Sequence, residues 1–241
     1  MRCVKFKIIE MRQIFLVLFV MSLSGCVKTE KKEDSNESKI SLNHENHKKS
    51  ANDFMHESST KELIERFESK ERDEYQKPEL VLEYLGDLSK KTIIDIGAGS
   101  GYFTMKLARK ANKVIAADVN DKFLEYISKR TQSEKLENIE LRKTPYDSPL
   151  IKNKEVDMIF LANTYHHIEN RQAYFEKAKE GLKPNGELVI VDFFKKETPV
   201  GPPMDHKISL ENVTQELKKV GFKDFEIEVD LLPYQYIIVA K

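Results

Sequence analysis

The sequence predicts an α/β fold, a mostly parallel sheet with helices on both faces that ends in a C-terminal antiparallel hairpin. Three observations predict it. From residue 92 onward, short continuously apolar runs alternate with amphipathic stretches of helix length, the pattern of strands covered on both faces. The last two apolar runs, 225–229 and 234–240, lie too close together for a helical crossover, so one of them runs antiparallel. With 241 residues the chain accommodates one large domain plus appendages.

The N-terminal stretch stands outside that pattern. Arg2, Lys5, Lys7 and Arg12 form a positive region ahead of the apolar run IFLVLFVM at 14–21. That run suits a signal peptide and is too short to span a bilayer, which needs about 20 residues. Leu23-Ser24-Gly25-Cys26 follows it directly. The arrangement resembles the bacterial lipobox. The resemblance implies that 1–25 is a lipoprotein signal peptide and that Cys26 carries lipid, anchoring the protein at the bacterial membrane. The alternative is an unused signal and a cytoplasmic protein. Met11 is an alternative start that leaves a shorter signal. Residues 26–52 are polar and charged, and such a segment cannot bury enough surface to offset chain entropy. It is expected to be a disordered tether, with His44 and His47 as polar spacers. The two cysteines, Cys3 and Cys26, both precede the domain, so no cysteine-based metal site is expected there and no metal is assigned.

Helical spacing begins at Asp53, with Leu63, Ile64 and Phe67 recurring at three- and four-residue intervals. Pro78 suits the first turn of a further helix that presents Leu80, Val81, Leu82 and Leu85. These residues, 53–90, make a helical segment ahead of a domain at 91–241. In the domain, β-branched 92–96 is a buried strand and 102–110 a helix. Strand 113–117 precedes helix 122–130, and strands are expected at 139–141 and 156–161. Helix 172–182, strand 187–192 and helix 210–220 then lead to the terminal pair, which turns at Leu231-Leu232-Pro233.

The chemistry is concentrated in Asp95-Ile96-Gly97-Ala98-Gly99-Ser100-Gly101, at the carboxyl end of the first strand. Open α/β sheets bind ligands at that end. Gly97 permits the sharp turn out of the strand, Gly99 lets backbone approach a ligand, Gly101 lets the next helix pack closely, and the N–H groups at the helix start favour an anion. A dinucleotide fingerprint spaces its glycines at relative positions 0, 2 and 5. Here they fall at 0, 2 and 4, with Tyr102 at 5. The second strand ends in Asp118, 23 residues after Asp95, and a carboxylate there has two oxygens to accept from ribose hydroxyls.

This pattern resembles the class I S-adenosylmethionine-dependent methyltransferases, particularly the type 11 and quinone-biosynthesis-like group, over roughly residues 60–241. The resemblance implies a Rossmann-like seven-stranded sheet and S-adenosylmethionine as cofactor. It implies that Asp95, Gly97, Ala98, Gly99 and Gly101 hold the methionyl end, and that Asp118 and Val119 hold the adenosine. Thr144, after the third strand, lies where the family holds adenine. The usual Asp is missing there unless Asp147 replaces it. Asn163, after the fourth strand, completes the expected cofactor set. Glu71-Arg72-Asp73-x-Tyr75-Gln76-Lys77-Pro78 resembles a segment that folds over the cofactor in many class I enzymes, which makes 53–90 a lid and Tyr75 and Gln76 lid residues facing substrate. The alternative for these two is a solvated helix end.

Methyl transfer needs alignment and water exclusion above all, and needs a base only where the acceptor is protonated. His166 and His167, in Asn163-Thr164-Tyr165-His166-His167-Ile168, stand where the family often has histidines. They are the candidate catalytic residues, and the alternative is that they shape the turn. Tyr165, Phe194 and His206 complete the expected substrate pocket, although Phe194 and its neighbour Phe193 also suit a core.

Lys+Arg and Asp+Glu number 40 each. That balance argues against a large nucleic-acid footprint, and the Asn-Pro-Pro-Tyr signature of base methylation is absent. The expected acceptor is a small molecule. The oligomeric state is not encoded in any motif. A competing reading is a non-catalytic lipoprotein that keeps the fold as a binding module, since a lipobox exports the chain while the cofactor is made in the cytosol.

Overall fold

The computed structural model describes residues 51–241. The segment expected to be a signal peptide, 1–25, Cys26 and all but the end of the expected tether lie outside the described residues. The tether's last two residues do not follow the expectation. Ala51 and Asn52 open the helix α1 (Ala51–Glu57), because Asn52 finds partners on the domain.

Three more short helices follow: α2 (Thr60–Phe67), α3 (Lys70–Gln76) and α4 (Pro78–Tyr84). Ser59 and Glu62 cap α2 reciprocally, each side chain accepting from the other's backbone N–H. Lys77, at φ 41°, makes the corner between α3 and α4, with Pro78 at the first helical position.

The domain then alternates β1 (Thr92–Ile96), α5 (Tyr102–Ala108), β2 (Lys113–Asp118), α6 (Asp121–Glu134), β3 (Ile139–Lys143), β4 (Val156–Ala162), α7 (Arg171–Glu180), β5 (Leu182–Phe193), α8 (Leu210–Val220), β6 (Phe225–Glu228) and β7 (Gln235–Ala240). The seven strands form one sheet in the order β3-β2-β1-β4-β5-β7-β6. Strand β7 pairs antiparallel with both β5 and β6, and the other pairings are parallel. Several boundaries differ from expectation, among them the end of α6, at Glu134 instead of 130. The strand expected at 187 begins at Leu182, and the helix expected to reach 182 stops at Glu180. At Gly181 a Cβ would lie 2.4 Å from Ile151, so the chain turns tightly under that side chain into the sheet.

Alternate residues of each strand feed two cores. Ile94, Ile115, Ile159, Leu161 and Ile190 face Tyr174 and Phe175 of α7 and Val213 and Leu217 of α8. Ile93, Val114, Met158, Phe160 and Val191 face Val81 and Leu82 of α4 and Phe103 and Leu107 of α5. Each fully buried aliphatic side chain contributes about 1.5–3 kcal/mol, and this rigid sheet holds the ends of β1, β2, β4 and β5 in register.

Candidate functional site

The loop after β1 has left-handed backbone at Gly97 (φ 71°), Gly99 (φ 56°) and Gly101 (φ 80°). At Gly97 a Cβ would stand 2.5 Å from the Thr164 side chain, in the loop after β4. Only glycine allows those two loops to meet. Beside Gly99, the ring of Phe67 from α2 lies 3.3 Å from where a Cβ would be. The face expected to meet a ligand is covered here by the N-terminal segment.

The N–H groups of this loop are largely turned inward. Gly97 and Ala98 both donate to the Ala117 carbonyl, at 2.8 and 3.1 Å, and Gly101 donates to that of Ala98 at 2.8 Å. Gly99 donates to Oδ2 of Asp118 at 2.8 Å, and Asn120 donates to its Oδ1 at 2.8 Å. The anion cradle expected from the loop is therefore occupied by the protein itself. Asp118 is buried at the end of β2 with both oxygens aimed at the loop and at the start of α6. Burial raises its pKa while the N–H bonds from Gly99 and Asn120 oppose the rise. Asp95, fully buried, is pushed up to about 6 by desolvation, against a bond from Thr104 Oγ1 at 2.6 Å. Val119 continues from Asp118, and Thr144 N–H donates to the Asp118 carbonyl at 3.0 Å. Both therefore lie beside the expected adenosine position.

The N-terminal helices close on this edge. Glu68 accepts from Ser100 Oγ and from Arg130, both at 2.6 Å, and holds the end of α2 on the loop. Tyr75 lies with its ring 5.9 Å from that of Phe193. Gln76 is fully buried in a closed ring of amides. It donates to Gln235 at 2.8 Å, Gln235 donates to Asn163, and Asn163 donates back to Gln76 at 2.9 Å. Every member gives and receives one bond, so α3 is fastened to the ends of β4 and β7. Asn163 holds left-handed backbone, φ 59°, which aims its amide into the ring. This network supersedes the reading of Gln76 as a solvated helix end.

At the ends of β4 and β5 stand His166 and Asp192. The His166 Nδ1 lies 2.9 and 3.0 Å from the two Asp192 oxygens, and its backbone N–H donates to the same carboxylate at 3.3 Å. An ionised carboxylate only accepts, so Nδ1 carries a proton and donates it to Asp192. The His167 ring lies 4.3 Å from that of His166. Asn52 of α1 donates to the His167 carbonyl at 3.0 Å and accepts from Nδ1 at 3.2 Å. Burial first, then the neighbouring His166, depresses the His167 pKa to about 3, so this ring stays neutral. His206, in a short 3₁₀ turn (Met204–His206), acts on His167 electrostatically.

Two expected pocket residues belong to the core instead. Tyr165 is fully buried, stacked on Phe175 with ring centroids 5.1 Å apart, and its hydroxyl donates to Glu216 of α8 at 2.6 Å. Phe194 packs on the core beside Tyr236, 5.7 Å between centroids. Residues of the site that were not foreseen include Asn52, Gln235, Asp192, Phe67 and Arg72. An acid at the end of a buried strand is a signal that could have singled out Asp192. Arg72 lies in the segment that resembles a cofactor cover, where no role is assigned to it, and nothing local marks Phe67.

The fit to S-adenosylmethionine rests on the two-oxygen acceptor Asp118 at the end of β2, on left-handed glycines where β1 ends, and on one buried guanidinium atom with no partner, Arg72 Nε. These suit a nucleoside with an amino-acid tail, and the Phe67 ring covers the loop at Gly99.

Comparison with known proteins agrees. A family model described as "Methyltransferase domain" matches residues 87–229. A demethylmenaquinone methyltransferase of Tropheryma whipplei is 28% identical over 153 residues, 64% of this chain and 59% of the relative. A tRNA U34 carboxymethyltransferase of Pseudoalteromonas translucida is 28% identical over 160 residues, 61% of this chain and 49% of the relative. The chain thus matches only about half to three-fifths of the length of these relatives. The crystal structure of an S-adenosylmethionine-dependent methyltransferase from Aquifex aeolicus superposes with a TM-score of 0.70 at 27% identity, covering 76% of this chain and 98% of that one.

Proposed function

The chain belongs to the methyltransferase-domain family, and on that premise we propose that it methylates a small acceptor bearing a weakly acidic O–H, N–H or C–H, with His166 as general base. When bound, S-adenosylmethionine supplies a methyl group already activated by a positive sulfur. The rest falls to the protein. Asp118 orients the ribose, and the amide ring of Gln76, Asn163 and Gln235 fixes the helix that roofs the site. The buried surroundings exclude water. His166 Nε2 takes the acceptor proton while Asp192 holds the ring and stabilises its cation.

The observation that carries this reading is the two-oxygen contact of Asp192 with His166 Nδ1. It orients an imidazole and fixes its tautomer, which a residue that merely shapes a turn does not require. The neutral His167 beside it supplies a donor or acceptor without competing for the proton. A small acceptor is favoured by the balance of charge, 40 basic against 40 acidic residues, and by the roof of helices over the strand ends.

The test is to incubate the full chain with S-adenosylmethionine and a panel of phenols, quinols and amines, and to follow S-adenosylhomocysteine. Turnover with at least one acceptor, lost in His166→Ala, is expected. Cofactor binding without product across the panel would leave the binding-module reading standing instead. Membrane tethering through Cys26 is a separate part of the proposal, supported by the lipobox alone. Radiolabelled palmitate should appear on the chain and disappear with Cys26→Ala.

A further inference from the structure

One charged group in the fold has no use in the mechanism above. Arg72, the third residue of α3, is 8% exposed. Its guanidinium carbon lies 4.0 Å from the centroid of the Tyr102 ring, 5.6 Å from that of Phe67 and 6.0 Å from that of Phe103. Nη1 donates to the Phe67 carbonyl at 3.2 Å. Nε is buried and has no partner. The carboxylates around it are committed elsewhere: Asp73 to the Tyr102 hydroxyl at 2.5 Å, Glu68 to Ser100 and Arg130 at 2.6 Å, and Asp95 to Thr104 at 2.6 Å.

A buried guanidinium with no ionic partner is a net cost to the fold. Stacking on an aromatic face returns only part of what desolvation removes. Burial is also the main influence on its pKa, which it lowers, yet arginine stays charged. The position is informative. Tyr102 follows Gly101 directly, and Phe67 covers Gly99, so Arg72 sits against the glycine loop. That loop has turned its own N–H groups inward, so an anion arriving there must find its positive partner in a side chain. The Nε edge of a guanidinium offers two parallel N–H bonds, the geometry that takes a carboxylate side-on.

We propose that Arg72 binds the carboxylate of the amino-acid tail of S-adenosylmethionine, so that cofactor binding supplies the anion that this buried cation lacks and draws α3 onto the loaded site. The proposal rests on the reading of this edge as the cofactor site. It also explains why a buried guanidinium is kept whose Nε has no partner while the neighbouring carboxylates bond elsewhere.

The test compares S-adenosylmethionine with decarboxylated S-adenosylmethionine, which lacks only that carboxylate, by calorimetry on the full chain. The wild type should bind the carboxylated compound about ten- to a hundredfold more tightly, the range expected for a charge-assisted pair. Arg72→Met should erase that preference while leaving the decarboxylated compound within about twofold. Arg72→Lys, which keeps the charge and loses the fork, should retain part of it and serves if the methionine variant does not fold. Arg72→Met should also raise the melting temperature of the ligand-free protein, because it removes an unpaired buried charge. A residue with a purely structural role would lower it. Equal weakening of both compounds, or of neither, overturns the assignment to Arg72 while leaving the cofactor reading intact. Failure of the wild type to bind either compound overturns both.

Discussion

The two halves of the strand edge are made of different material. At the ends of β1 and β2 the contacts are backbone: glycines in left-handed conformation and N–H groups bonded to Ala117 and Asp118. At the ends of β4 and β5 they are side chains, with His166 on Asp192 and Asn52 on His167. A backbone half can serve any acceptor, because it addresses the one cofactor. A side-chain half can be rewritten residue by residue without disturbing the sheet. On the proposed function the contrast assigns acceptor specificity to the β4–β5 half, and it can be broken experimentally from either side.

The largest expected effect is on the side-chain half. Asp192→Asn leaves the shape and removes the charge that fixes the His166 tautomer. Turnover should fall about a hundred- to ten-thousandfold, the range for loss of positioned acid–base catalysis, while cofactor affinity stays within about twofold. If turnover survives Asp192→Asn and His166→Ala alike, the acceptor needs no base and the division of labour is wrong. Next comes the backbone half. Gly97→Ala puts a methyl 2.5 Å from Thr164 at φ 71°, and should destabilise the fold by about 2–3 kcal/mol, measured by urea denaturation. Trimming the opposing side chain with Thr164→Ser in the same protein should restore part of it. Full stability in Gly97→Ala would mean that the two loops do not meet as tightly as described.

That contrast also governs what the sequence discloses. Asp95, the glycines and Asp118 are legible because backbone geometry selects residue types at fixed local spacing, and β1 runs Thr92–Ile96 as its apolar run indicates. The order of elements and the antiparallel β7 follow from segment lengths in the same way. Tyr165 is misplaced by a reading from sequence because its neighbour His166 lies against Asp192 at the strand ends while its own ring points to α7 and α8. The places of Arg72 and Phe67 are not legible because they depend on α2 and α3 folding back onto Ser100, Tyr102 and Gly99, although Arg72 lies in the segment that resembles a cofactor cover. Gln76 and Gln235 meet across 159 residues of chain. No local pattern records a contact of that separation.

His167 provides a smaller test, of stability. Its pKa of about 3 in the fold lies below the ordinary 6.5, so folding favours the neutral ring. The stability this contributes is fully present above pH 6.5 and is lost as pH falls toward 3. Between pH 7 and pH 5 the loss should be at most about 2 kcal/mol. His167→Gln should flatten that slope without changing stability at pH 8 by more than about 1 kcal/mol. A slope unchanged by the substitution would place the acid sensitivity elsewhere, with buried Asp95 excluded because its raised pKa acts in the opposite sense.

The smallest effect expected concerns access to the backbone half. Phe67 packs over Gly99 and lies 5.9 Å, centroid to centroid, from Phe123 at the start of α6. The Glu68 bonds to Ser100 and Arg130 hold it there. A ring that must swing away before the cofactor enters would scale its apparent affinity by the fraction of molecules in the open state. Phe67→Ala removes the ring and leaves the latch. Stopped-flow association of S-adenosylhomocysteine should then quicken by about two- to fivefold, with dissociation little changed. Slower association, or faster dissociation alone, would mean that the ring stacks on the bound nucleoside and does not guard it. In that case the N-terminal helices belong to the cofactor site as contacts, and the backbone half is less self-contained than its glycines suggest.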